Sequence, residues 1–106
     1  MTDAQMDAVA GLFGVLSEGS RLRLLQALHD GPANVSELVR STGMKQANVS
    51  KQLGVLQGAG VVARERIGNE VNYWIEMPII RKLCDLVCTG IAQQASARAD
   101  VFKRRP

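Results

Sequence analysis

Aromatic residues are scarce in this 106-residue chain: Phe13, Tyr73, Trp74 and Phe102 make up 4% of it. Binders of single-stranded nucleic acid stack bases on several aromatic rings, so that class is disfavoured from the start. No apolar run approaches the roughly 18 residues of a membrane span, and no membrane partner is expected. No lysine or arginine precedes Arg21, whereas a secretory signal needs a basic start, so a cytoplasmic protein is expected. The only cysteines are Cys84 and Cys88, and a disulfide framework is not expected in that setting. The sequence also lacks a nucleophile–base pair, a paired carboxylate site and a phosphate-binding glycine loop, which argues against an enzyme.

What is present fits one small globular domain. The chain is 46% hydrophobic and 22% charged, ordinary values for a folded protein. Residues 1–106 form a single domain on this reading, with a core of about 3–96 and a basic tail over 97–106. A core of this size is marginal alone, so dimerisation is a natural source of further burial. The formal net charge of +3 is unevenly placed: residues 1–19 carry −3, residues 20–76 carry +2 and residues 77–106 carry +4. Such a distribution suits a polyanionic partner without identifying one.

Hydrophobic spacing divides the chain into elements. Met6, Val9, Phe13 and Leu16 recur at helical spacing, which predicts a helix over Asp3–Leu16. Ser20 is the expected N-cap of a second helix carrying Leu22, Leu24, Leu25 and Leu28, stopped by Gly31-Pro32 after His29. A short third helix is predicted over Ser36–Ser41, with Ser36 as its cap, and Thr42-Gly43 as the turn after it. A fourth runs from about Gln46 to Gln57, with Val49, Leu53 and Leu56 in one apolar stripe. The period then changes from 3.6 to 2. Val62–Ile67 reads as a strand, Gly68-Asn69 as a hairpin turn, and Val71, Tyr73 and Ile75 as the buried face of the return strand. Pro78 opens a last helix whose Ile79, Ile80, Leu83, Leu86, Val87 and Ile91 cover more than one face. A helix apolar on several sides usually has a second partner, here read as the same helix of another protomer.

The fold class that follows is mainly α with a small β-hairpin, in the order helix-helix-helix-helix-strand-strand-helix: a winged helix-turn-helix. The polar flank of the fourth helix suits a DNA major groove. Gln46, Asn48 and Gln52 offer amides that match an adenine edge. Lys51 matches guanine or phosphate, Ser50 suits several bases, and Ala47 is small enough to meet a thymine methyl. The plain alternative is a merely solvated face, which the adjoining turn and hairpin make the weaker reading. Arg64 and Arg66 share one strand face near Asn69 at the hairpin tip, and can reach the minor groove or phosphates. From Leu38 to Asn69 the chain holds Arg40, Lys45, Lys51, Arg64 and Arg66 against Glu65 alone. The plain alternative there is a hairpin kept soluble by charge. A rival of another class is a winged helix that docks a protein partner, for which apolar anchors on the fourth helix would be expected.

These segments resemble the ArsR family of bacterial repressors. The resemblance runs from about Val9 to Ile91. It rests on the stretch Leu16–Leu25, on Ser36-Glu37-Leu38, on Gln46–Leu53, on Leu56–Val62 and on the hairpin Arg66–Tyr73. It implies a homodimer packed through its first and last helices, which binds a near-palindromic operator in double-stranded DNA and represses transcription. On that basis Met6, Val9, Phe13, Ile80, Leu83, Val87 and Ile91 are the expected dimer interface. Release by a metal ion, another inducer or thiol oxidation is also implied.

Two departures from the family pattern stand out. Lys45 sits where many members have a serine cap. The loss of a cap and a cation at the positive end of a helix are both unfavourable in the free protein, so Lys45 is read as a phosphate contact. The sensing patterns are also incomplete. The third helix has no Cys-x-Cys, the single histidine is on the second helix rather than the last, and Gln26 stands where sulfur-sensing members carry a cysteine. That leaves Cys84 and Cys88, spaced i and i+4 on one helix face, as the candidate thiol or soft-metal sensor, with no certain cofactor. Simple packing of small apolar thiols is the competing reading. His29 reads as a polar group or cation at a helix C-terminus, Tyr73 and Trp74 as wing packing, and Asp85 as a poor co-ligand of Cys84.

Overall fold

The computed structural model describes the backbone of residues 1–104 and the side chains of residues 1–97. Most of the expected basic tail over 97–106 lies outside the described side chains.

The first helix, α1 (Asp3–Leu16), starts at a reciprocal cap: the Gln5 amide donates to Thr2 Oγ1 at 3.1 Å and the Thr2 amide to Gln5 Oε1 at 2.8 Å. The next, α2 (Gly19–Leu28), is capped by Glu18 rather than by the expected Ser20. Glu18 holds an extended backbone, and its carboxylate accepts from the Ser20 and Arg21 amides at 3.1 and 3.3 Å. Those bonds, the Ser20 amide foremost, hold its acidity above that of an ordinary glutamate. A two-residue strand, β1 (Ala33–Asn34), follows, too short to leave a periodic signal.

The helix-turn-helix comprises α3 (Val35–Thr42) and α4 (Gln46–Gly58). α3 begins earlier than Ser36 because Asn34 is the better cap: its Oδ1 accepts from the Glu37 amide at 2.8 Å, and the Asn34 amide donates to Glu37 Oε1 at 3.1 Å. Gly43 ends it at φ +72°, a left-handed conformation that glycine adopts without Cβ strain. The wing is β2 (Val62–Ile67) and β3 (Glu70–Ile75), antiparallel, joined through Gly68 at φ +64°. β1 pairs with the other edge of β3, so the hairpin grows out of a three-stranded sheet in the order β1-β3-β2. The last helix, α5 (Pro78–Arg104), is the longest element.

The core lies where α2, α3 and α4 meet the base of the sheet. Leu24, Leu25 and Leu28 of α2, Leu38 of α3 and the expected stripe Val49, Leu53 and Leu56 of α4 are buried against Val61, Val62, Tyr73 and Ile75. This packing fixes the outer flank of α4 relative to the wing. α1 joins the core through its C-terminal end, where Leu16 is buried and Leu12 and Val15 are half-buried.

Candidate nucleic-acid interface

Once Val49, Leu53 and Leu56 are committed to the core, helical geometry turns Gln46, Ala47, Ser50 and Lys51 outward, and all four are exposed. Lys45 is exposed at the N-cap of α4 and makes no side-chain capping bond. The orphan amides of that first turn are therefore left for another acceptor.

Gln52 departs from expectation. It is only 8% exposed, and its side chain turns into the domain: Arg21 Nε donates to Gln52 Oε1 at 2.9 Å and Gln52 Nε2 donates to Asn48 Oδ1 at 3.2 Å. A side chain so placed cannot meet a base edge, and the assignment of Gln52 as a groove contact is corrected. The signal was in the spacing, since 49, 52, 53 and 56 are i, i+3, i+4 and i+7 of one helical face. Asn48 is half-buried, at the boundary between this network and the outer flank.

The wing carries its cations where the strands outrun the core. Val62, Arg64 and Arg66 pair with Ile75, Tyr73 and Val71. Directly paired residues share a sheet face. The face that is buried at Val62 and Ile75 therefore continues outward as the exposed Arg64 and Arg66. Arg66 Nε donates to the Gly68 carbonyl at 3.2 Å, holding its guanidinium near the turn, and Asn69 is exposed beside it. Trp74 is half-buried with its indole N–H on Glu76 Oε2 at 2.8 Å, and Tyr73 is buried. Among the described residues the one salt bridge joins His29 and Asp85. Lys45, Lys51, Arg64 and Arg66 thus keep their charge uncompensated by a close carboxylate, as a phosphate-facing surface requires.

A second surface is apolar. Met6, Val9 and Phe13 are exposed along α1, and Ile79, Leu86, Val87 and Ile91 along α5. Ile80, expected at a subunit contact, is fully buried in the chain's own core, and Leu83 is half-buried against it. The outward positions of α5 are Ile79 and Leu86 instead, the latter 74% exposed. Neighbouring large apolar side chains at such exposure mark an association surface.

On α5, Cys84 is half-buried against the core and Cys88 is exposed. Burial, with smaller contributions from Cys88 and Asp85, pushes the Cys84 thiol up from the ordinary cysteine range. Asp85 instead reaches α2, its Oδ1 2.9 Å from His29 Nε2, while Arg81 Nη1 donates to the His29 carbonyl at 2.9 Å. Sequence spacing gave no hint of this tie, because the two groups are remote in the chain. Among the described residues no three histidine, cysteine or acidic side chains converge as a metal site.

Residues 18–64, spanning α2 through the start of the wing, match the model of the bacterial regulatory protein arsR family. The uncharacterized HTH-type transcriptional regulator Rv0081 of Mycobacterium tuberculosis is 38% identical over 95 residues, covering 89% of this chain and 83% of the relative. Its crystal structure superposes with a TM-score of 0.78, at 34% identity over 92% of this chain and 99% of that one. The solution structure of a homodimeric winged helix-turn-helix DNA-binding domain from Mycobacterium bovis gives a TM-score of 0.80 at 28% identity, over 92% and 93% of the two chains. The AntR antimony-specific transcriptional repressor gives 0.82 at 34% identity, over 90% and 86%. The chain is therefore a winged helix-turn-helix transcriptional regulator and belongs to the ArsR family of bacterial regulatory proteins.

Proposed function

We propose that this protein is a cytoplasmic homodimeric repressor that acts without catalysis. It places α4 of each subunit in the major groove of double-stranded DNA and lays the β2–β3 wing on the flanking backbone. The observation that carries this reading is the outward flank of Gln46, Ala47, Ser50 and Lys51, set beside Arg64 and Arg66 with no acidic partner among the described residues. A docking module for a protein partner would need apolar anchors on α4, whereas among the described residues the large exposed apolar side chains cluster on α1 and α5, with Leu22 on α2 and Ile67 on the wing and none on α4. Two recognition helices related by a two-fold axis should reach half-sites about 34 Å apart, hence a near-palindromic operator. A gel shift with the DNA flanking the protein's own gene tests this. Retardation of that duplex over an unrelated one is expected, and equal weak binding to both would refute operator recognition.

Lys45 gives a test in which two effects have opposite sign. Lys45→Ser supplies the missing cap and should stabilise the free protein by about 1 kcal/mol in chemical denaturation. On DNA the same variant should lose one phosphate contact per subunit. The slope of log affinity against log salt should fall by about 0.9 per contact, or about 1.8 per dimer. A stabilised variant with an unaltered slope would show that Lys45 stays off the backbone.

Cys84 and Cys88 are proposed as the sensor. Their Cβ atoms, one helical turn apart, are about 5–6 Å from one another, against about 3.8 Å in a disulfide. An intrahelical bridge is thereby disfavoured relative to a shared soft ion or a modification. The likeness to an antimony-specific repressor makes a metalloid the first ligand class to try. Iodoacetamide should modify Cys88 several-fold faster than Cys84, since the thiolate reacts and Cys84 is both shielded and less acidic. Oxidant, persulfide or thiophilic metal should weaken DNA binding by the wild type and leave Cys84→Ser/Cys88→Ser unaffected. Identical responses from the two proteins would leave both cysteines as packing residues.

A further inference from the structure

Beneath the outer flank of α4 runs a relay of four side chains that groove reading alone does not call for. Arg21 on α2 donates from Nη1 to the Val15 carbonyl at the end of α1, 3.1 Å, and from Nε to Gln52 Oε1, 2.9 Å. Gln52 Nε2 donates to Asn48 Oδ1 at 3.2 Å, and Asn48 Nδ2 donates to Ser20 Oγ at 3.4 Å. Among the described residues no other amide, aliphatic hydroxyl or charged side chain is as deeply buried as Gln52.

The polarity of this relay is set at one end. A guanidinium has N–H donors and no acceptor, so the Gln52 atom that meets Arg21 must be its carbonyl oxygen. The Gln52 amide nitrogen then faces Asn48, which can answer only with its own oxygen. The Asn48 nitrogen is thereby directed to the Ser20 hydroxyl. Turning over either amide would set donor against donor, or leave a buried polar atom unmatched.

We infer that Arg21 and Gln52 are positioning residues for base recognition: they hold the Asn48 amide in one of its two orientations and so determine which base pair Asn48 prefers. This rests on the reading of α4 as the major-groove helix. A primary amide offers two lone pairs and two N–H groups. The relay uses one of each, leaving one acceptor and one donor in fixed order for DNA. That complement suits the adenine edge, with its N6 donor and N7 acceptor. An unrestrained asparagine would have to be ordered on binding, whereas this one is ordered beforehand.

Gln52→Glu separates this role from a structural one. The carboxylate keeps an acceptor for Arg21 but cannot donate to Asn48. The Asn48 amide then turns over, giving its nitrogen to Glu and its oxygen to the Ser20 hydroxyl. The donor–acceptor order shown to DNA reverses while Lys45, Lys51, Arg64 and Arg66 are untouched. The probe is a duplex recovered by in vitro selection with the wild-type dimer, scanned by competition with single base-pair substitutions. Asn48→Ala identifies the base pair that Asn48 reads. There the wild type should discriminate by roughly 5- to 150-fold, the range of one good bidentate contact. Gln52→Glu should bring that discrimination to within about threefold, or shift the preferred base, with the salt slope unchanged. In the Asn48→Ala background Gln52→Glu should change base preference no further, a coupling that a general loss of stability does not produce. Gln52→Met, of similar volume, cuts the relay without burying a carboxylate and should show the same selective loss if the glutamate variant melts. Undiminished discrimination at the Asn48 base pair in the folded Gln52 variants overturns the inference and leaves DNA reading intact. An Asn48→Ala protein with wild-type preference at every position removes Asn48 from the reading surface, and the inference with it.

Discussion

Phe13→Asp should convert the protein to a monomer and abolish tight operator binding. Phe13 is 56% exposed on α1 and takes no part in the chain's own core. Of the 150–250 Å² that a phenylalanine can bury, about 100 Å² is still open to water. At about 25 cal/mol per Å², covering it contributes about 2.5 kcal/mol, and a two-fold axis counts it twice. Losing about 5 kcal/mol raises the dimer dissociation constant by more than a thousandfold, before any cost of setting a carboxylate in the contact. Met6, Val9, Leu86, Val87 and Ile91 would remain, but a surface without its largest residue cannot hold at micromolar concentration. Sedimentation equilibrium should report a monomer whose circular dichroism matches the wild type, because Phe13 lies outside the buried core. Fluorescence anisotropy on a two-half-site duplex should show at least a hundredfold weaker binding, since one subunit makes half of the phosphate contacts. A stable dimer with wild-type affinity would place the subunit contact elsewhere.

The second large effect concerns charge. Lys51→Ala combined with Arg66→Ala removes one cation from α4 and one from the wing, four in the dimer. If each neutralises a phosphate, the salt slope flattens by about 3.6, since each contact contributes about 0.9. At moderate ionic strength that corresponds to an affinity loss on the order of a thousandfold. Neither side chain packs in the core, so thermal stability should be unchanged. An unaltered slope would mean that α4 and the wing do not share one DNA face. The pair complements Gln52→Glu, which alters base preference and leaves the slope alone, because phosphate contacts position the protein and base contacts specify the sequence.

Sequence periodicity foresaw most of the architecture. The change from 3.6 to 2 at Val62, the Gly68 turn and the Pro78 helix start are local signals, and each element lies where they put it. Helix starts were less accurate. More than one polar residue competes near each N-terminus, and only backbone geometry shows that Glu18 and Asn34, rather than Ser20 and Ser36, reach the orphan amides. The reading flank was readable wherever a side chain lies clear of the stripe. It was misread at Gln52, where a polar residue occupies a position that helical spacing assigns to the interior.

Composition, hydrophobic period and turn residues thus sufficed by themselves for a basic winged helix-turn-helix, because those signals depend on neighbours within a few residues. Only the folded chain could show that Gln52 turns inward to Arg21, that Ile80 belongs to the core while Leu86 faces out, and that His29 meets Asp85. Each of those facts depends on how elements from distant parts of the chain are set against one another. A helix's own spacing tells which residues share a face, and its tertiary neighbours decide what that face meets.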